Sequence, residues 1–360
     1  MTMLNPNKRS GGKKAAATIA DVAKRAGVSP MTVSRVVNAE ANVRDTTRDK
    51  VNLAIAALNY IPNQAARRLA GSKLIRIAIL YSNPSASYLN ELLVGVLNRA
   101  SLGHLQLVVE KCEEGDKEAR DLIDNGIDGI ILPPPLCDSH TLLDLMAQTS
   151  TPAVAVASGQ PDKRISAIGI DDHRAAYDMT RHLISLGHSR IGFITGHPNQ
   201  TASARRLAGF KSAMADAGFP VGPEAIAQGM YNYRSGLDAA EVLLRDEPRP
   251  SAVFASNDDM AAATVAIAHR LGLDVPGDLT VAGFDDAALA TTIWPELTTV
   301  RQPIFDMAGT AVDILVRQIR AHRDGAPEPC EHVVMDFSLI RRQSDAAPRL
   351  RPPVAIASRA

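Results

Sequence analysis

No run of about 18 consecutive apolar residues occurs in the chain, so no transmembrane helix and no membrane partner are expected. The opening residues, MTMLNPNKRSGGKKAAA, are basic but hold no apolar stretch of the kind a secretory signal needs. Cysteine is scarce. Cys112, Cys137 and Cys330 are far apart and odd in number, which reads as reduced thiols in a cytosolic protein without metal-ligand spacing. Nucleotide-binding signatures are missing too. No G-x-G-x-x-G follows the first apolar run, and GGKK lacks the upstream glycine and the following Ser/Thr of a phosphate loop. His188, in ISLGHSRIGFITG, has no partnered nucleophile and reads as a structural cap at a helix end. No enzyme chemistry, cofactor or metal is therefore expected.

What the chain does have is asymmetry. Its 360 residues carry no formal net charge, with 46% apolar residues as core material for two or three domains. Residues 1–71, however, hold 12 basic against 4 acidic side chains, and the remainder 27 against 35. A +8 head on a −8 body suits a protein whose head, and not whose body, meets DNA.

Inside that head, Thr18 to Asn38 reads TIADVAKRAGVSPMTVSRVVN. Ile19, Val22, Ala23 and Ala26 recur at helical spacing, with Thr18 placed to cap them. Gly27 supplies a left-handed stop. Ser29 then stands as N-cap with Pro30 at the first helical position. Val33, Val36 and Val37 point inward, leaving Pro30, Met31, Thr32, Ser34, Arg35 and Asn38 outward as candidate DNA contacts. This is a helix-turn-helix with a second helix suited to the major groove. A third helix over Asp45–Asn59 buries Val51, Ile55 and Leu58, with Thr46 and Asp49 as a capping box. Residues 1–17 read as a disordered basic arm.

AGVSPMTVSRVVN, the third helix and YIPNQAARRLAG together resemble the DNA-binding headpiece of the lactose-repressor (LacI/GalR) family of bacterial regulators, and the resemblance extends from Thr18 to Gln343. Asn63–Gly71 then forms a hinge, too short to be a stable helix alone. The resemblance implies that paired hinges order in the minor groove, with Leu69 wedged between base steps and Ala66, Arg67 and Arg68 beside it.

From Leu74 onward short apolar runs alternate with amphipathic helices such as Arg174–Leu186, Ala202–Ala217 and Asp258–Leu271. Strands are expected at 75–80, 105–110, 129–132, 153–157, 167–170, 190–195, 252–255, 280–284, 298–302 and 333–340. Repeated β-α-β order implies parallel sheets covered on both faces, and ten strands divide best into two. The resemblance makes these the two lobes of a type I periplasmic-binding-protein-like fold, with crossovers near Ile170, Val300 and Glu331. The fold class is thus a small all-α helix-turn-helix headpiece plus an α/β two-lobed core. Its domains are an arm (1–17), headpiece (18–62), hinge (63–73), core (74–343) and flexible tail (344–360).

Ligands of open parallel sheets bind beyond the carboxyl ends of the strands. Ser82, Tyr88, Ser158, Asp171, Arg206, Tyr231, Asn257 and Asp285 fall there, an assortment suited to a hydroxyl-rich ligand. Within the resemblance, SARRLAGF carries Arg206, SNDD carries Asn257 and GFDD carries Asp285. Two departures stand out: Ser158 replaces a frequent acid, and Asp172 replaces a frequent Asn. Asp258 and Asp286 also read as helix caps, and Asp171 as a brace at a lobe crossover.

The reading is a ligand-responsive regulator, a homodimer on a pseudo-palindromic operator of double-stranded DNA, released by a sugar or sugar derivative between the lobes. A corepressor-dependent regulator and a solute-binding protein are the alternatives. The tail lacks leucine heptads, so a dimer is expected.

Overall fold

The computed structural model describes residues 18–37, 43–58, 74–113 and 115–349, which fall into two units divided after Leu74. The expected arm, the hinge at 63–73, and residues 350–360 lie outside the described residues.

In the smaller unit α1 (Ile19–Ala26), α2 (Pro30–Val37) and α3 (Asp45–Leu58) enclose a core of Val22, Ala23, Val33, Val36, Val51 and Ala54. Ile19, Ala26, Val37, Ile55 and Leu58 pack around it, half-buried. One detail differs from expectation. Because α3 starts at Asp45, Thr46 lies within its first turn and does not cap it. The N–H groups of Thr47 and Arg48 are satisfied by the Arg44 carbonyl instead.

The larger unit starts with β1 (Arg76–Tyr81), α4 (Ala86–Leu102), β2 (Gln106–Lys111), α5 (Lys117–Asp124), β3 (Gly129–Leu132), α6 (His140–Thr149), β4 (Ala153–Val156) and β5 (Ser166–Gly169). The chain then enters a second lobe through α7 (Asp172–Ser185), β6 (Ile191–Thr195), α8 (Thr201–Asp216) and β7 (Ile226–Gln228). It continues through α9 (Tyr233–Leu244), β8 (Ala252–Ala255), α10 (Asp258–Arg270), β9 (Thr280–Asp285), the short α11 (Leu289–Thr292) and β10 (Thr298–Arg301). The 20-residue α12 (Ile304–Arg323) returns to the first lobe, and β11 (His332–Val334) and β12 (Ser338–Ile340) end the ordered strands.

The first sheet runs β11-β5-β4-β3-β1-β2 and is parallel throughout. The second runs β12-β10-β9-β8-β6-β7, parallel except where β12 meets β10. Apolar residues bury both faces of each sheet, as strands such as Gly129–Leu132 and Ala252–Ala255, buried at every position, require. Helices α4 and α12 approach closely at Gly95, where a Cβ would lie 2.7 Å from the Ala308 Cβ; glycine is needed there to let the backbones meet.

Several expectations are corrected here. The stretch 333–340 is two strands, β11 pairing with β5 in the first sheet and β12 with β10 in the second, with Met335–Phe337 crossing between them. The third crossover therefore falls at Met335–Phe337 and not near Glu331. The second follows β10 at Gln302, close to the expected Val300. Three-residue β7 was not anticipated, being too short for a periodic signal. Finally, residues 344–349 are not a flexible tail. Ser344 is fully buried, accepting the Thr298 N–H and donating to the Val281 carbonyl. The Asp345 carboxylate takes the Thr298 hydroxyl at 2.8 Å and pairs with His182.

Candidate functional site

Two places carry function-bearing groups. On the headpiece, Thr18 and Asp21 form a capping box: Asp21 N–H reaches Thr18 Oγ1, and Thr18 N–H reaches Asp21 Oδ2 at 2.8 Å. Hydrogen bonds from Thr18 hold the Asp21 carboxyl below its usual range. Gly27 takes φ +67° and ends α1, where the Val28 N–H bonds Ala23 O at 3.1 Å. Ser29 Oγ accepts the Thr32 N–H and lies 2.9 Å from Thr32 Oγ1, so it caps α2 as expected. With Val33 and Val36 buried, α2 turns Pro30, Met31 and Arg35 to solvent, Met31 at 65% exposure, with Thr32 and Ser34 at the margin. Asn38, Ala66 and Leu69 lie outside the described residues.

In the larger unit a pocket opens between the lobes, at the carboxyl ends of both sheets. Asn83, Ser85 and Tyr88 line it from one lobe; Gln200, Arg206, Tyr231, Asn257, Asp285 and Gln302 from the other. Arg206 organises it. Its side chain projects from α8 and is 4% exposed. Nε donates to Asp172 Oδ1 at 2.7 Å and Nη1 to the Ser256 carbonyl at 2.6 Å, while Asp285 Oδ1 lies 3.8 Å from Nη1. The guanidinium sits 3.6 Å above the Phe284 ring centroid, a cation–π contact out of water. Burial opposes the Arg206 charge, but Asp172, Tyr231 and Asp285 raise its pKa above the ordinary value.

Burial also sets the acids. It raises Asp172 against the lowering influence of Arg206, and it pushes Asp285 up to about 7 despite Arg206 and a 2.6 Å hydrogen bond from Gln302 Nε2. Tyr231 is raised to about 12 by burial, so it is a neutral donor. Among the described residues, two buried polar atoms of side chains lining this pocket, Tyr88 Oη and Gln200 Nε2, have no hydrogen-bond partner, while the Tyr231 hydroxyl packs against Gly196 beside Ser203. Orphaned buried donors of this kind normally have a ligand or water to meet.

Backbone strain is concentrated at the same place. Ala157, Tyr231, Asp285 and Asp286 all have positive φ, Asp285 at +108°, a costly conformation for residues with a Cβ. Gly196 leaves room for Tyr231, whose ring would lie 1.9 Å from a Cβ there. On either side of the pocket the lobes are joined. Ser85 Oγ donates to Asp259 Oδ2 at 2.5 Å, and Asp138 receives the Thr201 N–H at 2.8 Å together with its hydroxyl.

Of the expected cleft residues, Tyr88, Arg206, Tyr231, Asn257 and Asp285 come together; Ser82, Ser158 and Asp171 do not. Ser82 is exposed, and Asn83 and Ser85 in the same turn face inward instead. Ser158 directs its hydroxyl to Asp138 Oδ1 at 2.6 Å. Asp171 is an exposed N-cap of α7, accepting the Arg174 N–H at 3.1 Å, which suits its alternative role as a brace. Asp172, one residue on, is the acid that holds Arg206. Asn257 caps α10 and donates to the Tyr231 carbonyl at 3.1 Å. Asp258 is not the cap; it accepts the Thr299 hydroxyl and the Ala287 N–H. Asp286 pairs with Arg301 and Arg342 and caps no helix. His188 is structural, bonding Ser251 Oγ and the Ala346 carbonyl at 2.8 Å each. Gln200 and Gln302 carried no motif that could have marked them.

Known proteins resemble this chain in sequence and fold. The family model for bacterial regulatory proteins of the lacI family matches residues 18–63, and that for a periplasmic binding protein-like domain matches residues 180–344. Catabolite control protein A of Priestia megaterium is 34% identical over 306 residues, covering 83% of this chain and 92% of its own. The HTH-type transcriptional regulator DegA of Bacillus subtilis (strain 168) is 37% identical over 333 residues, covering 91% and 97%. Among solved structures, the lac repressor dimer bound to operator and the anti-inducer ONPF superposes with a TM-score of 0.79 at 29% identity, covering 92% of this chain and 100% of its own. The transcriptional regulator CelR–cellobiose complex gives 0.69 at 29% identity, covering 91% and 99%. Among the described residues no helix is long and apolar enough to cross a membrane. With a headpiece, a two-lobed core and relatives that match nearly end to end, the chain belongs to the LacI family of bacterial regulatory proteins.

Proposed function

We propose that the protein is a repressor that binds a pseudo-palindromic operator as a homodimer and is released by a sugar or sugar derivative held between the lobes. Pro30, Met31, Thr32, Ser34, Arg35 and Asn38 meet the major groove, with Arg35 reading a base and Thr18 at the helix start near a phosphate. Ala66 and Leu69 act in the minor groove. Tyr88, Arg206, Tyr231, Asn257 and Asp285 hold the effector. Binding alone does the work, with no chemical step.

The observation that carries this reading is the pair of unpartnered donors, Tyr88 Oη from one lobe and Gln200 Nε2 from the other, at one pocket, in a chain that also bears a helix-turn-helix. A ligand that satisfies donors from both lobes favours the arrangement that brings those donors together, which is the differential affinity any population shift requires. That bias reaches the hinge segments, and their separation weakens DNA binding. Selection of full-length protein against random-sequence duplexes tests the operator half of the reading. Enrichment of two inverted half-sites is expected, as two-fold symmetry demands. Enrichment of a single asymmetric site, or of none, refutes it.

A further inference from the structure

We infer that Asp138 and Asp259 are positioning residues of the cleft. Each is a carboxylate of one lobe that holds the start of a helix in the other, and together they set how far the lobes close before any ligand enters. The purpose of these clamps rests on the reading of the pocket as the effector site; the clamps themselves are contacts between the lobes.

The first N–H groups of a helix have no partner within it. In α8 the N-cap residue, Gln200, makes no capping bond with its side chain. The cap comes from the other lobe. Asp138 ends the short turn that follows β3, and its Oδ2 accepts the Thr201 N–H at 2.8 Å while the Thr201 hydroxyl lies 2.9 Å from Oδ1. Ser158 Oγ donates to the same carboxylate at 2.6 Å, which fixes its orientation. A carboxylate is also the group that the positive end of a helix favours. The seat fits closely: at Gly159 a Cβ would lie 2.5 Å from the Ala202 N, so glycine is needed for the loop after β4 to lie on the first turn of α8. When the lobes part, the Thr201 N–H loses this acceptor. Capping and closure are therefore one event.

Helix α4 repeats the device with the lobes exchanged. Ser85 Oγ accepts the Tyr88 N–H at 3.3 Å as the N-cap of α4 and donates across the cleft to Asp259 Oδ2 at 2.5 Å. Ser87 Oγ lies 3.4 Å from the other oxygen, and Asn257, on the pocket wall, donates to Asp259 at 3.3 Å. The two helix starts held in this way carry the two unpartnered pocket donors. Gln200 directly precedes the clamped Thr201, and Tyr88 bonds the clamped Ser85. The clamps thus aim one donor from each lobe into the pocket, and they favour closure without help from a ligand.

Hydrogen exchange of the full-length, ligand-free protein, read by mass spectrometry, tests this. The reporter is the Thr201 amide, whose acceptor lies in the other lobe, and the reference is β6, buried at every position. Asp259→Ala is the deciding variant, because Asp259 stands on the other side of the pocket from Thr201. Exchange in 200–203 is expected to rise by about 5- to 30-fold with 191–195 unchanged. Asp259→Asn keeps an acceptor for Ser85 and should restore part of the protection. Asp138→Ala should raise exchange in the same segment at least as much. A rise at 200–203 in Asp138→Ala alone makes that carboxylate a local cap and overturns the clamp between lobes. A rise that extends equally through β6 marks a contact needed for folding, and overturns it too. Either result leaves the effector reading standing, since no ligand takes part.

Discussion

Replacing Arg206 with methionine tests the electrostatic logic of the cleft most sharply. Methionine keeps much of the stem volume but removes the charge, leaving Asp172, 3% exposed, without its 2.7 Å partner. A buried carboxylate left unpaired costs several kcal/mol if it stays ionised. It can escape by taking a proton. With an unfolded pKa near 3.9, neutralisation at pH 7 costs about 4 kcal/mol, at roughly 1.4 kcal/mol per pH unit. That route caps the Asp172 contribution, so a loss of about 3–4 kcal/mol is expected at pH 7 and about 1.5 kcal/mol at pH 5. A buried carboxyl whose folded pKa is raised above its unfolded value makes the fold less stable as pH rises between the two. Arg206→Met with Asp172→Asn removes the Asp172 orphan, leaving only Asp285 to take a proton, and should recover much of the loss, a strong coupling between touching residues. Urea unfolding followed by far-UV circular dichroism at both pH values measures it. An equal penalty at pH 5 and pH 7, or additive losses in the double variant, would refute the reasoning.

Other expectations follow from the same structure. Asp285, raised to about 7 by burial, makes the wild-type core less stable as pH climbs from about 4 to 7; Asp285→Asn should flatten that slope in urea titrations and abolish the ligand response with operator affinity near wild type. Arg35→Ala should weaken specific DNA binding by about 1–3 kcal/mol and relax preference at one base pair, checked by anisotropy on single-substitution operators. Thr18→Ala breaks the capping box and should destabilise the headpiece by about 1 kcal/mol, seen as earlier loss of its helical signal on heating.

The headpiece was the most legible part of the sequence because its structure is local. Thr18, Gly27, Ser29 and Pro30 act through their own backbone neighbours, so spacing alone identifies their roles. The two lobes were legible as alternating elements, but their closing strands were not: Val333–Ile340 has unbroken strand character, and only the competing demands of two sheet edges divide it at Met335–Phe337. Five of the eight expected cleft residues line the pocket, and the others fall outside it for a related reason. Arg206, Asn257 and Asp285 sit in recognisable motifs, whereas Ser82 missed the pocket by one to three residues and Asp171 missed the Arg206 partner, Asp172, by one. At a tight turn such a shift decides whether a side chain faces solvent or ligand. Gln200 and Gln302 matter through long-range proximity that no local pattern encodes. Ser344 and Asp345 look like tail by composition, yet their polar groups complete hydrogen bonds on β9 and β10.

The central claim is that one ligand, seated on both lobes, controls DNA binding. Fluorescence anisotropy of the full-length protein on labelled duplex from its own upstream region measures this directly, titrated with salt and then with the sugar panel. The account predicts tight binding that weakens steeply as salt rises, reversed by one compound in the wild type but not in Asp285→Asn. Binding that no compound alters, or that the same compound reverses equally in the variant, would contradict it.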